Sequence, residues 1–566
     1  MPLTKRTLGI SMGRLWSTMQ RMMSEQPRLV VCIFAAFVGL AGLFSLPPLD
    51  RDEARFAQAS AQMLETGDFV TIRFLDEERN KKPAGIHWLQ SAAVAALSSS
   101  DARNIWAYRI PSFLAMIGVS FFVFLIGKTL FNAKTGLIAG LLFASAPIAA
   151  AEATIAKTDA VLLLTICIAQ WALAKSLVEK NAPLGRAIIF WLALAASILI
   201  KGPIGLLVCG LTLVTLCIHQ STLKPLLMMR PLLGIVLIMV TVSPWVIAIN
   251  TATEGRFFAD AIGGDLLGKV GTAQERHAGP PGYHLLLLPI LFWPAAGFLP
   301  RTVMNAFHNR RQAAWQFLIA WALPAWVIFE LTSTKLPHYT LPLYPAVAIA
   351  IAAAIKMALD TRSPQQRTRA DLFGILLYGL ISVSVIMAVP WLAPTYHGSL
   401  PLALITSIVT AIGAAGCIFL LIKRAFYKAA LTAIFCSGAF SWLIMQAVLP
   451  SFEDFRTSPL LADLVKENKA HELDHGAPGT FIAGYTEPSL VFFLGSSTKI
   501  GTGEAAATYL IDTPGAAALI ENKELTAFLA TLQENRGNVS KITTVKGINY
   551  SKGKPVSIDV YVHHNE

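Results

Sequence analysis

Charge is scarce in this chain. Only 14% of its 566 residues are Asp, Glu, Lys or Arg, against about 25% in an ordinary soluble protein. That deficit, with 54% hydrophobic residues, argues against a wholly soluble chain and points to a membrane. The net charge of +12 is then read as Lys and Arg in loops on one side of a bilayer, so nucleic acid is not an expected partner. Cysteine is also sparse. Cys32, Cys167, Cys209, Cys217, Cys417 and Cys436 all fall inside apolar stretches and form no CxxC pair, which argues against a disulfide framework or a cysteine metal site. P-loop, GxGxxG and HExxH patterns are missing too. The sequence therefore calls for no cofactor, and a divalent metal has no support. The two halves do not look alike, which weighs against the duplicated transporter folds.

What the chain has is apolar length. Thirteen runs of spanning size lie near 29–47, 109–130, 134–151, 159–178, 186–200, 203–219, 231–249, 284–300, 314–333, 341–359, 371–393, 401–422 and 428–449. The first follows a basic segment (Lys5, Arg6, Arg14, Arg21, Arg28) and has no small-x-small site before the charges that follow it, so it reads as an uncleaved transmembrane helix. With the N-terminus inside, the inner loops carry clusters such as Arg301/Arg310/Arg311 and Lys423/Arg424/Lys428, while the short outer loops carry Lys157, Lys201 and Lys335 singly. The expected fold is a polytopic α-helical membrane protein with about thirteen transmembrane helices over 1–450. A small α/β domain over 451–566 follows on the outer face, suggested by runs such as GTFIAGY and VSIDVYVHH.

Two longer outer loops remain, 48–108 and 250–283. The first packs five charges into Asp50–Arg55, directly after an apolar run. Asp52 to Thr66 suits a helix that stops at Gly67, with Asp52 and Arg55 three apart on one face. A second amphipathic stretch starts after Pro83, and such helices suit the interface plane. Further ionisable residues sit at outer helix ends: Asp159, Lys201, Glu275, His277, Lys335, His338 and Tyr339. Singly, each has a plain explanation, such as a snorkelling Lys201 or a capping Asp159. Gathered at one depth, they mark a site. Arg55, Lys82, Lys201 and Lys335 suit a phosphate. Asp52 and Asp159 suit sugar hydroxyls, a base, or an oxocarbenium-like transition state. Glu487, in GYTEPSL, either faces such a cavity from the C-terminal domain or caps a helix. Loop 250–283, rich in Gly and charge, is expected to act as a lid. An anionic-lipid transporter or flippase is the rival from another class, although it would place its ionisable residues near the midplane.

The ordered series DRDEARFAQASAQMLETGDFV, KKPAGIHWLQ, AKTDAVLL, LIKGPIGLL, ERHAGPPGYHLLLLP, TKLPHYTLPLYP and GYTEPSLVFFLG resembles the bacterial family 39 glycosyltransferases. These are C-type, polyprenyl-phosphate-dependent membrane enzymes, a group that includes the 4-amino-4-deoxy-L-arabinose lipid A transferases and the protein O-mannosyltransferases. The resemblance implies interfacial helices in the first outer loop and a periplasmic C-terminal domain in a bacterial inner membrane. It also implies transfer of a sugar from undecaprenyl phosphate to lipid A, to a protein or to another envelope acceptor, with inversion. By motif position, Asp52 resembles the family's catalytic carboxylate, with Arg55 beside it, and Lys82 its donor-phosphate lysine. Asp159 resembles the acid of the second outer loop and Tyr339 the KLPxY tyrosine. Ala54, Phe56, Lys81 and Ala84 depart from the arabinose transferases' Asp-Glu-Gly-Arg-Tyr and Phe-Glu-Lys-Pro-Pro, which bears on the sugar and the acceptor.

Overall fold

A long apolar run inside a bilayer has one stable answer, because only a helix satisfies every backbone group within the segment. The computed structural model describes residues 21–261, 263, 279–360, 368–468, 478–533 and 539–563. Each of the thirteen apolar runs coincides there with a helix or a bent pair of helices. The expected count of thirteen spans is not confirmed. Among the described residues nine helices are long and apolar enough to cross a membrane, or eleven if two bent pairs each count as one span. The bends fall between Ala133–Ser145 and Pro147–Ala153 (65°) and between Tyr283–Leu291 and Trp293–His308 (103°). Pro147 and Pro294 open the second half of each pair, where a missing N–H costs nothing. Helices Pro27–Leu40 and Ile204–His219 are apolar but shorter. Large apolar side chains such as Leu232, Leu286 and Met387 stay exposed around the bundle, as a lipid-facing surface requires.

The first outer loop is built by local capping. Asp50 accepts hydrogen bonds from the N–H groups of Asp52 (2.7 Å) and Glu53 (3.2 Å), opening helix Arg51–Thr66. Gly67, at φ 71°, closes it in the left-handed conformation, with its N–H on the Met63 carbonyl. A short hairpin follows, β1 (Arg73–Phe74) against β2 (Glu77–Glu78), with Leu75 held through its N–H and carbonyl by Gln62. Helix Gly85–Leu97 comes next. A side chain at Gly85 would stand 2.6 Å from the Leu199 carbonyl, so glycine lets this helix lie against the C-terminal end of helix Leu184–Lys201. The turn carrying Lys82 and the helix end carrying Lys201 are thereby neighbours.

After Thr457–Glu467 the chain forms a five-stranded mixed sheet from β3 (Phe481–Ala483), β4 (Lys499–Gly501), β5 (Ala517–Glu521), β6 (Val539–Asn549) and β7 (Lys554–His563), in the order β4-β3-β5-β7-β6. β3 runs parallel to β4 and β5, whereas β7 is antiparallel to β5 and β6. This domain rests on the first outer loop. Its helix Pro488–Leu494 lies along Arg51–Thr66, Phe492 meets Tyr108 edge-on at 5.3 Å, and Ser496 accepts from Gln58 at 2.9 Å.

Candidate active site

Helix Arg51–Thr66 presents Asp52 on its first turn, where its negative charge is favoured. One carboxylate oxygen receives two guanidiniums, Arg55 Nη1 at 3.2 Å and Arg79 Nη2 at 3.1 Å. Burial alone would raise the Asp52 pKa, but Arg79, Arg55 and Lys157 bring it below its ordinary value. Its side chain remains 50% exposed, available to a ligand. Arg79 was not foreseen. It follows the small hairpin and lies over the Phe56 ring at 5.2 Å, a position that only the β1–β2 turn-back creates.

Beside this clamp runs a second chain of charges. Lys157 Nζ donates to Asp50 at 3.1 Å and stands 3.9 Å from Glu152. Burial pushes this ammonium down, yet Glu152, Asp50 and Asp159 hold its pKa well above the usual lysine range, so it stays charged. Asp159 opens helix Asp159–Glu179 as its first residue. Its carboxylate is not a cap but the partner of Lys201 Nζ at 2.5 Å, with His338 Nε2 at 3.9 Å. His338 and Tyr339 belong to the one-turn-tight segment Pro337–Leu343, with their rings edge-to-face at 5.4 Å. Lys82 is half-buried in the turn before Gly85–Leu97.

Thus Asp52 and Arg55 meet directly, and so do Asp159 and Lys201 with His338 alongside, while Lys157 acts electrostatically on both groups. Two predicted residues are engaged elsewhere. Lys335 donates to the carbonyls of Gly279 (3.1 Å) and Thr332 (3.0 Å). Glu487 is 2% exposed and accepts from Asn549 (2.8 Å) and Ser551 (2.7 Å), with Arg51 Nε at 3.2 Å, so its carboxylate straps the C-terminal domain to the first outer helix. Glu275, His277 and the middle of the expected lid 250–283 lie outside the described residues. Among the described residues no group of three or more His, Cys, Asp or Glu is placed to hold a metal ion.

A buried two-pronged ion pair also escaped sequence reading. Arg109 grips Glu53 with two nitrogens and donates to the carbonyls of Leu43 (3.2 Å), Leu46 (2.8 Å) and Pro47 (3.2 Å). Glu53 also accepts from the Ala156 N–H at 3.0 Å. This single pair fixes the end of the first apolar run, the start of the Asp52 helix and the loop before Asp159.

Known proteins share the overall fold. Overall the structure superposes on the crystal structure of ArnT from Cupriavidus metallidurans bound to undecaprenyl phosphate with a TM-score of 0.72, covering 94% of this chain and 97% of that one at 19% identity. The chain thus shares the fold of that membrane protein. Residues 81–247 match the family described as dolichyl-phosphate-mannose-protein mannosyltransferase. Undecaprenyl phosphate-alpha-4-amino-4-deoxy-L-arabinose arabinosyl transferase of Pseudomonas aeruginosa is 28% identical over 327 residues, 56% of this chain and 58% of that protein. Its counterpart in Aeromonas salmonicida is 26% identical over 382 residues, 64% of this chain and 68% of that one. The chain thus aligns with less than two thirds of the Pseudomonas relative's length. The matched family segment holds Lys82, Asp159 and Lys201 but not Asp52, which lies before it.

Proposed function

We propose that this membrane glycosyltransferase moves 4-amino-4-deoxy-L-arabinose from undecaprenyl phosphate to lipid A, with inversion at the anomeric carbon, on the periplasmic face of a bacterial inner membrane. The N-terminus is then cytoplasmic and the C-terminal domain periplasmic, as the Lys and Arg distribution of the loops supports. The observation that carries the reading is Asp52, half exposed and clamped by Arg55 and Arg79 at the end of the first apolar run.

In this reading the donor phosphate settles against Arg55, Arg79 and Lys82, drawing the guanidiniums toward it. An acceptor oxygen attacks the anomeric carbon as the bond from that carbon to the phosphate oxygen breaks. Undecaprenyl phosphate leaves with the electron pair, and the cations act where its charge develops. Asp52 and the Asp159–Lys201 pair orient the acceptor and the sugar hydroxyls. A carboxylate with a lowered pKa is a weak base. That favours an acceptor needing no deprotonation, and a lipid A phosphate is already ionised at neutral pH.

The second reading, a protein hydroxyl as acceptor, draws on the family match over residues 81–247. It asks more of Asp52 as a base. Membranes of cells expressing wild type, Asp52→Asn and Lys82→Ala at equal abundance separate the two. Mass spectrometry of lipid A and of undecaprenyl-phosphate-linked sugar is the readout. Added mass on lipid A in wild type, absent in both variants while lipid-linked sugar accumulates, is the expected result. Accumulation with unchanged lipid A transfers the enzyme to another acceptor. No response in either pool overturns the glycosyl-transfer reading and leaves lipid transport to be tested.

A further inference from the structure

Far from the Asp52–Asp159 cluster lies a cleft of about 510 Å³ with a different chemistry. Helix Tyr344–Asp360 sets the distance. Its first residue follows the His338 segment, and the cleft is lined near its last turn by Ile355, Lys356 and Leu359. At 1.5 Å rise per residue the two sites stand about 20–25 Å apart along this helix. Lys134 enters the cleft from the first turn of helix Ala133–Ser145, whose far end leads back to Asp159. Tyr427 and Lys428 enter from the first turn of helix Phe426–Leu443.

Three helices thus converge three lysines on one cleft, and among the described residues no carboxylate lines it. Asp371, which lies close to Phe426, is already taken by Arg301 through two bonds of 2.6 and 2.7 Å. Helix Phe426–Leu443 opens with Ala425 at its cap position and no side-chain cap, so its first N–H groups face this end of the bundle unsatisfied by a side chain. Between the cations the walls are apolar: Ile355 is 2% exposed at the base, and Leu359 is 48% exposed at the rim. A soluble anion would leave that apolar wall unused. An amphiphile with an anionic head fits both parts.

We infer that this cleft binds an anionic phospholipid, its phosphate held by Lys134, Lys428 and the start of helix Phe426–Leu443 and its acyl chains lying on Ile355 and Leu359. A basic recess between membrane helices is the setting in which such headgroups are held. The site lies on the face opposite the proposed chemistry and does not depend on that reading.

The test uses the full chain, purified from phosphatidylcholine vesicles doped with phosphatidylglycerol, and native mass spectrometry to count the phosphatidylglycerol retained. Wild type retains it, and the double variant Lys134→Gln/Lys428→Gln holds it roughly 10- to 30-fold more weakly. Lys134→Arg/Lys428→Arg retains it, and Lys423→Gln, outside the cleft, changes nothing. Leu359→Trp narrows the mouth without altering charge and expels the lipid, so the inference stays testable should the glutamine variant fail to fold. Equal retention in the glutamine variant overturns it. So does equal loss in Lys423→Gln, which would mean a general surface field, or displacement by millimolar inorganic phosphate, which would mean a site for a soluble anion.

Discussion

Glu53 and Arg109, 56 residues apart in the chain, close a two-pronged ion pair in which Nε meets Oε1 at 2.7 Å and Nη2 meets Oε2 at 3.1 Å. Both side chains are almost wholly buried. The pair is worth little as isolated Coulomb attraction, since desolvation opposes it, but breaking it strands one charge. Its remaining donors fall on the carbonyls of Leu43, Leu46 and Pro47, in the segment that follows the first helix.

Glu53→Gln should therefore destabilise the protein by about 3–5 kcal/mol, with Arg109→Lys nearly as damaging because an ammonium cannot reproduce the fork. Thermal unfolding of detergent-solubilised protein, followed by size exclusion, measures this. A melting midpoint equal to wild type in Glu53→Gln would refute the structural role.

Arg79→Ala should lower transfer by roughly 100- to 1,000-fold if it meets the departing phosphate, as expected for one lost transition-state contact. The protein should remain folded, since its guanidinium pairs with a half-exposed carboxylate. The check is a rate measured with saturating lipid-linked sugar in membranes, beside Arg55→Ala. An unchanged rate for Arg79→Ala would reduce this residue to packing on Phe56.

Asp159 and Lys201 should behave as one unit. Asp159→Asn or Lys201→Met alone leaves the partner with a buried, uncompensated charge, whereas the double change removes both. A double-mutant cycle on folded yield should therefore show strong coupling, with the double variant better folded than either single one. Additive losses would mean that the two side chains act apart.

His87 makes stability depend on pH. Burial, with Arg79 nearby, lowers its pKa to about 3, and its Nδ1 lies 2.9 Å from the Ser60 hydroxyl. The native ring thus stays neutral below pH 6.5 while the unfolded ring takes a proton. More protons on the unfolded chain mean that stability rises with pH. From about pH 6.5 down to 3 this one group should cost up to about 1.4 kcal/mol per pH unit. Comparing melting midpoints at pH 7.5 and 5.0 for wild type and His87→Gln should show a shallower acid loss in the variant.

Arg51→Ala should loosen the C-terminal domain rather than the bundle, because Arg51 meets Glu487 from the first turn of the Asp52 helix. Hydrogen exchange should quicken in Pro488–Leu494 and in Arg51–Thr66 together. Faster exchange in one element alone would count against their coupling.

The apolar runs were legible because a bilayer leaves no choice. Backbone groups must be paired within the segment, so the start and stop of each run show in composition. Asp50 as cap, Gly67 as stop and the Asp52–Arg55 contact were legible for a related reason, each depending on residues within a turn of one another. The number of true spans was not, because a run of the right length can bend, as Ala133–Ser145 and Pro147–Ala153 do by 65°.

What the sequence by itself determined is where helices form, which ends carry charge and which local contacts open the first outer loop. Only tertiary structure decided which charges meet. Asp159 found Lys201 across 42 residues, Asp52 gained Arg79 through a two-residue hairpin, and Lys335 turned to backbone carbonyls instead. Every long-range charge in a low-dielectric interior must find some partner, and several were on offer in composition alone. Helix packing selected among them, because an ion pair forms only where the fold brings its two ends within hydrogen-bond reach.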